Sequence, residues 1–122
     1  MSHTTTTPPV FDRASLLDRV DGDADLLGVI IDVFLEDSPN ALRAIEAAQE
    51  AGDGTALRLA AHALKGAAAN ISADALRAAA HELESLAAAG RLTEADAGLA
   101  RVRRALAALV PVLRGVRGGQ PC

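Results

Sequence analysis

From Phe11 onward, apolar residues recur three and four positions apart, and no segment sustains the alternation of a half-buried strand. The chain is therefore all-α. Asp12 is placed to cap a short helix carrying Leu16, Leu17 and Val20, and Asp21-Gly22-Asp23 supplies a turn and a fresh cap. A long helix to about Ala51 should bury Leu27, Ile30, Phe34, Ile45 and Ala48. Pro39 should either kink that helix, the reading we favour, or open a second segment capped by Ser38. After Gly52-Asp53-Gly54-Thr55, a helix from about Ala56 to Ile71 buries Leu57, Ala61, Leu64, Ala68 and Ile71. Ser72 is the expected cap of the next helix, which presents Leu76, Ala80, Leu83 and Ala87, with Leu86 at the edge, and which Gly90 ends. Thr93 should cap the last helix, with the stripe Leu99, Val102, Leu106, Leu109 and Leu113. Short Gly-containing turns between four main helices predict an antiparallel up-and-down four-helix bundle with a short extra N-terminal helix. The domain should span 11–115, with flexible tails at 1–10 and 116–122.

At 122 residues, half of them apolar and with a formal net charge of −4, the chain has room for one modest core. The acidic balance and an aromatic content limited to two Phe argue against nucleic acid as a partner. No apolar run approaches the ~20 residues of a membrane span, and the N-terminus has no secretion-signal pattern, so a cytoplasmic protein free of the membrane is expected. Cys122, the single cysteine, is the last residue and receives no role.

The chemistry concentrates in His62-Ala63-Leu64-Lys65-Gly66. Lys65 is the only lysine beside eleven arginines. At about 100° per residue, His62 projects roughly 140° from the centre of its helix's apolar stripe, so it faces away from the core. Gly66 follows one turn later on that outward face, Lys65 flanks it, and Leu59 and Ala69 extend it. A glycine inside a helix costs about 1 kcal/mol relative to alanine, which this chain uses freely elsewhere. Its place beside an outward histidine points to close approach by a partner, and the lone lysine argues against a histidine that is merely solvated.

The pattern His62-x-Leu64-Lys65-Gly66-x-x-x-x-Ile71 resembles the signature of the histidine-containing phosphotransfer (HPt) domains of bacterial phosphorelays. Phe11-Asp12 with Leu16-Leu17, Phe34-x-x-Asp37, Gly52-Asp53, Leu76 and Leu83-Glu84 also look like family positions, while Ser72 stands where the family usually carries glycine. The resemblance implies that His62 is the phosphoacceptor, exchanging a phosphoryl group with receiver domains of response regulators or with a sensor or hybrid histidine kinase. Lys65 would stabilise charge on the phosphoryl group, Gly66 would admit the partner, and Arg58, Leu59 and Ala69 would help it dock. The chain would need no cofactor of its own, with Mg²⁺ expected on the partner receiver domain, and would be a monomeric carrier; whether it is free-standing or part of a larger hybrid kinase stays open.

Two other readings compete. A helical module that docks a receiver or kinase without carrying phosphate would use the same face. A metal-binding bundle built on His62 and His81 fails on spacing, because Leu59 and Ala78 occupy the positions where Glu-x-x-His pairs need glutamate. His81 points away from its helix's stripe and reads as a solvated residue, and His3 lies in the tail. An autonomous ATP-dependent kinase is excluded by the lack of a phosphate-binding glycine loop and by the short chain.

Overall fold

The computed structural model describes residues 8–117. The expected tail segments 1–7 and 118–122, with His3 and Cys122, lie outside them. Five helices and no strand are present among the described residues: α1 (Arg13–Arg19), α2 (Ala24–Glu50), α3 (Gly54–Asn70), α4 (Asp74–Ala88) and α5 (Leu92–Arg117). Helix α5 thus continues two residues beyond the expected domain end, tied down by Arg117, whose guanidinium donates to both carboxylate oxygens of Asp32 on α2 at 2.7 and 3.0 Å. Helices α2, α3, α4 and α5 pack in a closed ring, each against its neighbours in sequence and α5 back against α2.

The starts of the first three helices follow from carboxylates. Asp12, Asp23 and Asp53 each accept a backbone N–H from the first turn, satisfying one of the donors a helix leaves unpaired at its N-terminus. The stripes of α3, α4 and α5 are buried as their spacing predicts, and Leu57, Leu64, Leu83, Leu109 and Leu113 are almost wholly shielded. Three expectations need correction. In α2 the buried residue is Ile31, with Ile30 only half-buried; Pro39 lies inside this single helix and does not open a second segment, in keeping with the favoured reading. Thr93 does not cap α5, which already begins at Leu92; the preceding turn is so compact that the Arg91 carbonyl accepts the first helical bond, from Ala95.

The third correction concerns Ser72. It does not cap α4, whose N-cap is Ala73 without a side-chain bond. Instead the Ser72 N–H donates to the Ala69 carbonyl and the Ala73 N–H to the Ala68 carbonyl, the paired bonds of a Schellman ending that requires its pivot residue to be left-handed. Ser72 accordingly has φ +57°, as Gly52 (φ +66°) and Gly90 (φ +72°) do at the equivalent points of the neighbouring turns. Its hydroxyl donates to Ser15 Oγ at 3.1 Å, tying this turn to α1. We expect Ser72→Gly to leave stability within about 1 kcal/mol of the parent, relief of backbone strain offsetting the lost hydroxyl bond. Ser72→Val should cost more than about 1 kcal/mol, since a β-branched residue is a poor occupant of that conformation. Thermal or urea denaturation of the two variants distinguishes them, and equal loss would show that φ at this position is unimportant.

Candidate functional site

The compact turn at Ser72 makes α3 and α4 a helical hairpin, so residues equally distant from the turn come side by side. His62 and Glu84 are each eleven residues from Ala73. They meet: His62 Nδ1 lies 2.7 Å from Glu84 Oε2. One helical turn from His62, the Lys65 ammonium lies 2.6 Å from the other oxygen, Oε1. Glu84 therefore joins the motif's imidazole and its ammonium from the neighbouring helix.

Exposure differs sharply across this group. The His62 side chain is 63% exposed, whereas that of Glu84 is 17% exposed. The nucleophile candidate faces solvent and its carboxylate partner sits beneath it. The Lys65 ammonium holds the Glu84 carboxyl below the ordinary carboxylate range; partial burial pushes the other way, and the hydrogen bond from His62 adds to the lowering. Glu84 is consequently ionised near neutral pH and can only accept hydrogen bonds. The proton of a neutral His62 ring then belongs on Nδ1, donating to Glu84, and Nε2 carries the free lone pair.

His81 is exposed, as its position on α4 predicts, yet its Nδ1 comes to 3.8 Å from Glu84 Oε1, too far for a hydrogen bond. Among the described residues, no group of three or more His, Cys, Asp or Glu side chains is placed to hold a metal ion.

Around His62 the remaining motif positions define a small-residue face. Gly66 is exposed, and a Cβ built on it meets nothing within 4 Å, so no packing inside the chain demands glycine there. Leu59 is exposed, while Arg58 and Ala69 are half-buried. The Ala69 carbonyl accepts a 2.8 Å hydrogen bond from Arg19 Nη1, which brings a cation from α1 to the far end of this face. Reading by periodicity found His62, Lys65 and Gly66 but gave Glu84 and Arg19 no role. Glu84 was within reach, since pairing α3 with α4 about their turn places it opposite His62. Arg19 had no such signal, because its partner is a backbone carbonyl fifty residues away.

An exposed imidazole bonded to a carboxylate, beside an ammonium and an open glycine on a helical hairpin, marks a helical domain that presents a histidine to solvent. The Hpt domain family model matches residues 29–111, and the chain belongs to that family. It is similar to the crystal structure of histidine-containing phosphotransfer protein B (HptB) from Pseudomonas aeruginosa PAO1, with a TM-score of 0.85 and 33% identity over 93% of this chain and 98% of that one. Among curated proteins none matches.

Proposed function

We propose that this protein is a phosphorelay intermediate, in which His62 takes a phosphoryl group from the aspartyl phosphate of a response-regulator receiver domain, or from a histidine kinase, and passes it to another receiver. The observation that carries this reading is the Glu84 bond to Nδ1, which leaves Nε2 as an exposed nucleophile. In the transfer, the Nε2 lone pair forms the new N–P bond while the P–O bond to the donor aspartate breaks and its electron pair returns to that carboxylate. The ring becomes positive and its Nδ1 proton remains against Glu84, so the ion pair strengthens as charge develops. Passing the group on reverses these steps with the second receiver's carboxylate as nucleophile.

Lys65 has three N–H donors. Its pairing with Glu84 leaves further donors to meet the equatorial oxygens of the phosphoryl group, where catalysis of this chemistry is mainly positional and electrostatic. Gly66 admits the partner's loops, and Leu59, Ala69 and Arg58 extend the docking face. We read the ring of α2 to α5 as an antiparallel up-and-down four-helix bundle with α1 as an extra N-terminal helix, spanning the domain from about residue 11 to the end of α5. The carrier acts as a monomer in the cytoplasm without a cofactor of its own, Mg²⁺ residing on the receiver. No helix among the described residues is long and apolar enough to cross a membrane.

The test is incubation with a panel of phosphorylated receiver domains. Acid-labile, base-stable phosphate on this chain supports transfer, and binding without labelling would reduce the protein to a docking module. Gly66 gives a second check. Because a methyl group there meets open space, Gly66→Ala should stabilise the helix by up to about 1 kcal/mol, measured by denaturation. Gly66→Leu should fold equally well but slow transfer from a phosphorylated receiver. Normal transfer by the leucine variant would mean that no partner backbone comes close at this position.

A further inference from the structure

Helix α1 and the residue before it are fastened across the end of α3 at three points. The Asp12 N–H donates to the Ser72 carbonyl at 2.9 Å, the Ser72 hydroxyl to Ser15 Oγ at 3.1 Å, and Arg19 Nη1 to the Ala69 carbonyl at 2.8 Å. The third bond leaves most of its donor unused. A guanidinium carries five N–H donors in a planar fork, and one of them is spent on Ala69. Arg19 is exposed, and among the described residues no carboxylate pairs with it, although Asp18 and Asp21 are close neighbours in sequence. A backbone carbonyl thus holds an uncompensated cation at the end of α3.

Helix geometry places that cation relative to His62. Ala69 comes seven residues after His62, within about 20° of two full turns, so it lies on the same outward face and about 10 Å further along α3. Gly66 stands between them, exposed, with open space where a side chain would be. A protein interface of ordinary size covers about 800 Å² of each partner, a patch roughly 16 Å in radius. A partner centred on His62 therefore reaches Arg19. What it brings there is constrained by charge: a lysine or arginine would be repelled, and an apolar side chain would strip water from the free N–H groups and replace none of those bonds. A carboxylate can take two parallel N–H bonds from the fork. On a chain of net charge −4, an unpaired cation here also draws an acidic surface toward this end of the face.

We propose that Arg19 is a specificity-determining contact for the receiver domain, a fixed guanidinium on α1 that pairs with an aspartate or glutamate of the receiver and so favours those receivers that carry one at that place. The proposal rests on the phosphotransfer reading for the partner's identity, and its test separates the two. The probe is the receiver domain that labels the parent protein fastest, with phosphoramidate as a small phosphodonor that needs no docking. Arg19→Gln keeps an N–H for the Ala69 carbonyl but removes the charge, and should weaken receiver binding about fivefold. Arg19→Glu should weaken it more than tenfold, and both losses should shrink as salt is raised. A merely structural role would not give that salt dependence. Transfer at saturating receiver, and labelling of His62 by phosphoramidate, should match the parent in both variants. Replacing the receiver's acidic residues by lysine one at a time should yield one change that restores binding to the Arg19→Glu protein. Parent-like affinity in both variants overturns the proposal, as does a loss that follows the urea midpoint and is indifferent to salt, since Arg19 would then only close the end of α3. A receiver that needs Arg19 to bind but never transfers phosphate would leave this proposal standing and overturn the phosphotransfer reading.

Discussion

Replacing His62 by Gln should abolish labelling from a phosphorylated receiver while leaving the fold in place. The side chain is largely in solvent, and among the described residues it hydrogen-bonds to Glu84 alone. Surface pairs of this kind contribute about 0–1 kcal/mol, so the melting temperature should move by no more than a few degrees, roughly 4 °C per kcal/mol. Glutamine keeps a polar chain of similar reach but offers no nucleophilic ring nitrogen, so the loss should reach the detection limit. The control is His81→Gln. His81 is equally exposed and also near Glu84, but its Nδ1, 3.8 Å from Oε1, is not held, so nothing fixes its Nε2 as the free nitrogen. That variant should label normally. Residual labelling of the His62→Gln protein, or label found on His81 in the parent, would overturn the assignment.

The helices α3, α4 and α5 were readable from sequence because each offers one unambiguous stripe: Leu57, Ala61, Leu64 and Ala68 admit no second register. Helix α2 was less so. Ile30 and Ile31 both fit between Leu27 and Phe34, one by three-then-four spacing and the other by four-then-three, and periodicity alone does not choose between them. Packing chooses Ile31 for the core and leaves Ile30 at the edge of a groove between α2 and α3. Turn chemistry was the other weak point. Serine before a helical stripe reads as a cap because its hydroxyl usually accepts a backbone N–H, but at Ser72 the preceding helix's ending decides the conformation and sends the hydroxyl to Ser15 instead. The candidate site divides along the same line. His62, Lys65 and Gly66 share one helix and reveal themselves by spacing, whereas Glu84 belongs to the site only through the hairpin.

Glu84 should therefore be the residue outside the motif whose loss slows transfer most. A hydrogen bond to a charged group is worth about 1.5–3 kcal/mol, so Glu84→Ala should reduce the single-turnover transfer rate by roughly 10- to 100-fold. Receiver affinity should change little, because the carboxylate lies mostly beneath His62 and Lys65. Glu84→Gln should fall between: its amide oxygen still accepts the Nδ1 proton and keeps Nε2 free, but it brings no negative charge to the imidazolium that transfer creates. Nitrogen NMR of the His62 ring reads the positioning directly. The parent should hold its proton on Nδ1, the glutamine variant should largely retain that tautomer, and the alanine variant should lose it. Lys65→Ala removes the principal cause of the lowered Glu84 pKa, so the carboxyl should titrate at higher pH in that variant. The sign for stability follows. A lowered folded-state pKa means the ionic cluster contributes above the ordinary carboxylate range and is lost as pH falls through the folded value, and Lys65→Ala should move that loss to higher pH. Carboxyl-carbon NMR titration measures the shift, and single-turnover kinetics measure the rates. Parent-like transfer by Glu84→Ala with the ring proton still on Nδ1 would show that the carboxylate neither orients His62 nor supports its charge.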